Sequence, residues 1–274
     1  MSQANLGGKL KIGIVGCGTI GSEIALAVDQ GKIESELHAL WDKDRSKAED
    51  LLKRLKNSLP KIVPPSLLVK EVDIVIESAS QSAVGELLPL VIEEGIDILV
   101  MSVGGLLGNE ELIRKAREKN CRIYIPSGAL AGLDAVQSAS VGGIRSVILT
   151  TIKPPTALVG APYVEEKKLD LFSLDKPTLI YEGRASEAIK LFPANVNVAA
   201  ALALAGIGPE KTIVRVVVDP NAQVNTHRIE VEGEFGRISA QTENYPAPSN
   251  PRTSYLAVLS AIALLRKISS PLRI

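Results

Sequence analysis

The sequence predicts an α/β protein: a Rossmann doubly wound parallel sheet plus a second α+β domain with an antiparallel sheet. Three observations carry that prediction. From residue 10 to about residue 127, apolar strand-like runs alternate with helical stretches, the pattern that buries parallel strands between two layers of helices. A Gly-x-Gly-x-x-Gly turn joins the first strand to the first helix. Beyond residue 128 the pattern changes, with helices grouped together and three strand-like segments following one another as antiparallel strands do.

The elements follow in order. Residues 11–15 are a short apolar strand, and Ile20, Ile24 and Val28 then recur at helical spacing. Residues 37–41 read as a second strand. A charged amphipathic helix over residues 46–57 carries Leu51, Leu52 and Leu55 on one side. Ile62 and Val63 before Pro64 and Pro65 give a short strand and a break. Residues 72–76 and 96–101 have the composition of strands buried on both faces. Ala83, Val84, Leu87, Leu88, Val91 and Ile92 mark the helix between them. Leu112 and Ala116 mark another helix, and residues 122–125 another strand. In the second half, residues 147–153 form a strand ended by Pro154 and Pro155. Residues 185–191 and 196–205 read as helices, and 212–218, 227–234 and 237–242 as antiparallel strands. The last helix has Asn250 as cap, Pro251 in its first position and Pro271 at its end. The expected domains are residues 1–127 for dinucleotide binding, 128–250 for substrate and dimerisation, and 251–274 as a C-terminal helix packing back on the first domain.

The motif with most chemical content is the turn Gly16, Cys17, Gly18, Thr19, Ile20, Gly21. Gly16 permits the tight turn, Gly18 lets the backbone approach a pyrophosphate, and Gly21 lets helix and strand pack closely. The pyrophosphate sits at the helix N-terminus, on backbone N–H groups. Asp42 ends the second strand about 20 residues further on, where an acid binds the ribose hydroxyls. Asp42 favours NAD, while Lys43 and Arg45 beside it leave NADP open by offering charge to a 2′-phosphate. Glu77 to Gln81 and Ser102 to Gly105 follow buried strands, where ligands bind in open parallel sheets. Ala79 and Ser80 there are small enough to admit the nicotinamide half.

Composition narrows the partners. Lys+Arg and Asp+Glu are 31 each, so the formal net charge of +0 favours neither a nucleic-acid backbone nor an anionic membrane. The apolar run over residues 12–28 is broken by glycines and Glu23, and that over 196–207 is too short to span a bilayer. Two cysteines make neither a disulfide framework nor a zinc ligand set, which points to a reducing cytoplasm and no metal. Residues 1–8 read as a frayed tail and lack the apolar run of a signal peptide. Of the two histidines, His38 lies inside a strand and reads as structural. His227 begins a strand of the second domain, and histidine is the natural proton carrier near neutral pH. No H-E-x-x-H, C-x-x-C or G-x-S-x-G motif occurs, and hydride chemistry needs none because the cofactor carries it.

Four segments then resemble the L-aspartate dehydrogenase family: residues 127–135 (SGALAGLDA), 192–200 (FPANVNVAA), 225–236 (NTHRIEVEGEFG) and 250–257 (NPRTSYLA). The resemblance runs from about residue 10 to the C-terminus. It implies that L-aspartate passes a hydride to NAD or NADP and forms iminoaspartate, which yields oxaloacetate and ammonia or feeds NAD biosynthesis. It implies His227 as the catalytic residue, with Ala129 and Asn197 as cofactor contacts on the nicotinamide side. Ala131 and Asn195 are close rivals in register. It also implies a homodimer, and an architecture shared with homoserine dehydrogenase and dihydrodipicolinate reductase. Two substrate carboxylates need donors. Lys153, at the end of the strand over residues 147–153, is a candidate, as are helix N-terminal N–H groups near Ser186 or Asn197. A homoserine- or other small-acid dehydrogenase on the same fold, or a non-catalytic NAD-binding sensor, are the alternatives that fold alone does not exclude.

Overall fold

The computed structural model describes residues 9–193 and 196–271, so the N-terminal tail over residues 1–8 lies outside the described residues. The chain divides into two compact units, Met1–Pro126 with Val258–Ile274, and Ser127–Ala257.

The first unit is a parallel sheet of six strands in the order β3-β2-β1-β4-β5-β6. These are β1 (Leu10–Val15), β2 (Ser35–Trp41), β3 (Lys61–Ile62), β4 (Ile74–Glu77), β5 (Asp97–Val100) and β6 (Ile123–Tyr124). Every ladder is parallel. The strand order turns back between β1 and β4, the switch point outside which such sheets bind nucleotides. The apolar runs explain why the central strands are covered on both faces: Ile12, Ile14, Ile74, Val75, Ile76, Ile98, Leu99 and Val100 are exposed by 1% or less. Five helices follow strands in this unit: α1 (Thr19–Asp29), α2 (Arg45–Arg54), α3 (Pro65–Leu68), α4 (Gln81–Glu94) and α5 (Glu110–Glu118). Ser80 caps α4 by accepting the N–H of Ala83 at 3.2 Å. Gly95 ends it at φ +68°, a left-handed position that suits glycine.

The second unit carries α6 (Leu133–Val141), β7 (Ile144–Lys153), α7 (Pro162–Lys167), β8 (Thr178–Arg184), α8 (Ala185–Leu191), α9 (Val196–Ala205), β9 (Thr212–Val218), β10 (Asn225–Gly233) and β11 (Gly236–Asn244). Its sheet has the order β11-β10-β7-β9-β8. A two-stranded ribbon, β12 (Pro246–Ala247) with β13 (Asn250–Ser254), follows. The sheet is mixed, not antiparallel as expected, because β7 and β9 run parallel from Val147↔Thr212 to Lys153↔Val218. A parallel pair needs a long crossover, and the helices α7 to α9 supply it together with the edge strand β8. The alternation expected along the other strands is present: Val147, Leu149, Val214, Val216, Ile229 and Val231 face a core shared with Phe192, Leu202 and Tyr181.

The last helix also differs from expectation. α10 (Tyr255–Ser269) starts after Ser254, so Asn250 and Pro251 are not its cap and first residue. They belong to β13, where the ladder with β12 and the bond from Tyr255 N–H to Tyr245 C=O at 3.0 Å hold the chain extended. From Val258 onward the helix belongs to the first unit, where Ala261 and Leu265 pack with Ile24, Val28 and Ile74.

Candidate active site

The dinucleotide turn is built from three glycines with different reasons to be glycine. Gly16 sits at φ +99°, and a Cβ there would stand 2.6 Å from the backbone of Ser78. A Cβ on Gly21 would stand 1.9 Å from the carbonyl oxygen of Gly16. Gly18 is different: a Cβ there meets nothing within 4 Å. The protein's own packing does not require glycine at Gly18, whereas the close approach of a pyrophosphate to the N-terminus of α1, as the motif leads one to expect, would. Thr19 and Ile20 begin that helix and are half-buried.

Asp42 follows β2. Its Oδ2 accepts the N–H of Cys17 at 2.7 Å and its Oδ1 the N–H of Asp44 at 2.9 Å. The acid expected to meet the ribose is therefore tied to the glycine turn, and a carboxylate with two bonds retains further acceptor sites. Lys43 is exposed. Arg45, also exposed, pairs with Glu49 at 2.8 Å. Burial pushes the Cys17 thiol up to about 12, so it remains protonated within the turn.

Beyond β4, Ala79 and Ser80 are exposed. Both backbone N–H groups are held by Glu77, which accepts from Ala79 at 2.8 Å and from Ser80 at 3.0 Å. The same carboxylate accepts the N–H and hydroxyl of Ser102, each at 2.9 Å. Glu77 thus joins the loops after β4 and β5. The sequence reading included Glu77 in a turn segment without assigning it a role. The signal was present: an acid closing an apolar run shares the burial of Ile74, Val75 and Ile76.

The second unit brings Lys153 and His227 onto one face. In the β7–β10 ladder His227 stands opposite Thr151, two residues before Lys153. All three are buried, Thr151 at 0%, His227 at 6% and Lys153 at 7% exposure, on the face that carries Val147 and Leu149. Although it ends its strand, Lys153 is not solvated. His227 Nδ1 lies 3.1 Å from Thr151 Oγ1. Burial, and secondly the charge of Lys153, push His227 down to about 3, so its ring is neutral at physiological pH. Burial pushes Lys153 down to about 8, and among the described residues no carboxylate offsets it. A protonated lysine in that state is stabilised by an anion, and in the tautomer whose Nδ1–H donates to the Thr151 hydroxyl the neutral imidazole has Nε2 free to take a proton. Asn225, two residues before His227 on the same side of β10, has a buried Oδ1 without a hydrogen-bond partner among the described residues. Sequence reasoning had no basis for weighting Thr151 or Asn225, whose importance depends on which residues the ladder sets opposite and beside them.

The remaining candidates are placed as follows. Ala129 is buried, and its carbonyl accepts from Thr242 Oγ1 at 2.7 Å and Asn244 Nδ2 at 3.3 Å. Ala131 is exposed, and Asn197 is exposed in the first turn of α9. Asn195 lies outside the described residues. Ser186 N–H donates to the carbonyl of Pro209 at 3.2 Å, so that one N–H of the helix start is already engaged. His38 pairs with Glu36 and Glu71 at 3.1 and 3.3 Å. Among the described residues no group of three or more His, Cys, Asp or Glu is placed to hold a metal ion. None of the described helices is long and apolar enough to cross a membrane.

A parallel sheet of this strand order, with a glycine turn open at Gly18 and an acid after β2, is a dinucleotide-binding unit, and the family matches make it that of a nicotinamide-nucleotide-dependent dehydrogenase. Residues 16–126 match the family described as homoserine dehydrogenase, NAD binding domain, and residues 134–268 match aspartate dehydrogenase, C-terminal. L-aspartate dehydrogenase of Methanosarcina barkeri is 53% identical over 268 residues, covering 97% of this chain and 99% of its own. That of Nitrosopumilus maritimus is 43% identical over 267 residues, with 95% and 97% covered. The crystal structure of aspartate dehydrogenase from Thermotoga maritima superposes with a TM-score of 0.75 at 27% identity, over 97% of this chain and 99% of that one. The chain belongs to the L-aspartate dehydrogenase family. A homoserine dehydrogenase from Thiobacillus denitrificans, at 14% identity and TM-score 0.61, covers 96% of this chain and 74% of its own and shares the fold.

Proposed function

We propose that this chain oxidises L-aspartate to iminoaspartate with NAD or NADP, and runs the reverse reaction, the imine exchanging with oxaloacetate and ammonia. The observation that carries the reading is its 53% identity, over nearly its full length, to a relative named for that activity. The site chemistry agrees with a dicarboxylate substrate. When bound, the cofactor supplies a hydride acceptor, and Gly16, Gly18, Thr19, Ile20, Gly21, Asp42, Ala79, Ser80, Ala129 and Asn197 are its proposed contacts.

The chain's own groups do the rest. Lys153 binds a substrate carboxylate, and that ion pair relieves a buried, unneutralised charge. The same pairing offsets the charge that depresses His227, so substrate makes the ring a better base when one is needed. Thr151 fixes the ring through Nδ1. His227 then takes a proton from the substrate ammonium before hydride leaves Cα; water adds to the iminium carbon and releases one proton to solvent, and His227 returns its proton to the nitrogen, which leaves with the hydroxyl proton as ammonium while the carbonyl forms. We further propose a homodimer through the outer face of the second sheet, where Ile148, Ile152, Ile213 and Val217 are half-buried within one chain and Leu179 is exposed. Both cysteines are free and buried, in keeping with a cytoplasmic setting.

The reverse reaction gives the test. With oxaloacetate, oxidation of NADH or NADPH requires added ammonium if the chain makes and breaks a carbon–nitrogen bond. Equal oxidation without ammonium marks a 2-hydroxy-acid dehydrogenase and contradicts the proposal.

A further inference from the structure

Glu77 is the last residue of β4, which lies beside β1 at the switch point of the first sheet. Its side chain is 0% exposed. Oε1 accepts from Ala79 N–H, Ser80 N–H and Ser102 O–H, and Oε2 accepts from Ser102 N–H. All four partners are donors, and three are backbone N–H groups that cannot accept in return. They fit a carboxylate, whose oxygens only accept. Burial pushes the Glu77 carboxyl above the usual carboxylate range, and the four hydrogen bonds oppose that by stabilising the ionised form; among the described residues no cation acts on it. Ser78, between Glu77 and these loops, donates its hydroxyl to the Gly16 carbonyl at 2.7 Å, joining the same loop to the dinucleotide turn.

A neutral side chain could tether two loops. A buried carboxylate with no counter-ion among the described residues does so at a cost in desolvation that a purely mechanical tether need not incur. The charge is placed at the carboxyl end of a strand beside the switch point, where these sheets bind their cofactor. The nicotinamide ring is the part of that cofactor whose charge changes in the reaction, from a cation when oxidised to neutral when reduced. We propose that Glu77 is a positioning residue whose buried negative charge favours the oxidised nicotinamide over the reduced one. It acts through space and through the loops it holds. Within a low-dielectric interior such a field is weakly screened by salt. The consequence for turnover is that oxidised cofactor is retained and reduced cofactor is released more readily. This inference rests on the dinucleotide site and is independent of which amino acid is oxidised.

The test is to titrate NAD⁺ and NADH separately into the full-length wild type, Glu77→Gln and Ser102→Ala, reading bound cofactor by calorimetry. Glu77→Gln is expected to weaken NAD⁺ several-fold more than NADH. Ser102→Ala removes one donor and keeps the charge, so the ratio of the two affinities is expected to stay at the wild-type value. Equal weakening of both forms in Glu77→Gln overturns the proposal, as does an equal shift of the ratio in Ser102→Ala. Carbon-13 NMR of the Glu77 carboxyl in the wild type, assigned by its absence in Glu77→Asp, keeps the proposal testable if Glu77→Gln does not fold. An ionised carboxylate at neutral pH supports it, and a protonated carboxyl overturns it.

Discussion

On one buried face of the second sheet, burial depresses the protonation of both an ammonium and an imidazole, the ammonium's charge depresses the imidazole further, and among the described residues no carboxylate acts on either. The direction of the pH dependence follows. Lys153 in the free protein changes charge at about 8. A bound carboxylate stabilises the protonated form and raises that value in the complex. Affinity for a dicarboxylate such as succinate is therefore level below about pH 8 and falls above it, approaching about tenfold per pH unit. Inhibition constants for succinate from pH 6 to 10, a range chosen to bracket the ~1-unit transition, check this. Lys153→Met removes the dependence, and a dependence that survives the substitution excludes Lys153 as the carboxylate's partner. His227 carries a separate expectation. His227→Ala lowers kcat by roughly 10²–10⁴-fold, the usual cost of losing a general acid–base group, with cofactor affinity retained. Steady-state rates beside NAD titrations measure both, and an unchanged kcat removes the ring from the mechanism.

At the scale of elements, the turn between β1 and α1 is held together by close contacts that exclude a methyl group at Gly21. Gly21→Ala would set a Cβ 1.9 Å from the Gly16 carbonyl, forcing backbone to move. A destabilisation of about 1–3 kcal/mol is expected, the usual range for overpacking, together with weaker NAD binding. Thermal melts with and without NAD test it, and a variant as stable and as well saturated as wild type contradicts the packing argument. This turn was legible in the sequence because its chemistry is local: strand, glycine spacing and Asp42 lie within one crossover. The six strands of the first unit were legible for the same reason, each apolar run being short and followed by a helix. The mixed pairing of the second sheet was not, because which strand lies beside β7 depends on a crossover through three helices, and β8 carries Glu182, Gly183 and Arg184 among its apolar residues. The start of α10 was misplaced because Asn250 and Pro251 satisfy the local rules for a cap, while the ribbon of β12 and β13 holds them extended. His227 and Lys153 were visible as residue types at strand ends. Their burial, and the presence of Thr151 opposite the ring, came only with the register.

At the scale of the whole molecule, the division of labour between the two units implies different consequences for damage to each. On the proposed reading, changes in the glycine turn are expected to affect cofactor binding, and changes on the buried face of β7 and β10 the substrate and its protons. The outer face of the second sheet is the proposed contact between copies of the chain. Light scattering is expected to give twice 29.1 kDa for the wild type and a single chain's mass for Ile148→Asp, which places a charge on that face. A wild-type monomer contradicts the contact. The central claim concerns the reaction, and the absorbance of reduced nicotinamide during incubation with L-aspartate and NAD⁺ or NADP⁺ tests it most directly. L-homoserine and L-malate are run beside it. Reduction with L-aspartate alone, lost in His227→Ala, is the predicted result. Reduction with L-homoserine or L-malate and none with L-aspartate would leave the fold standing and contradict the proposed activity.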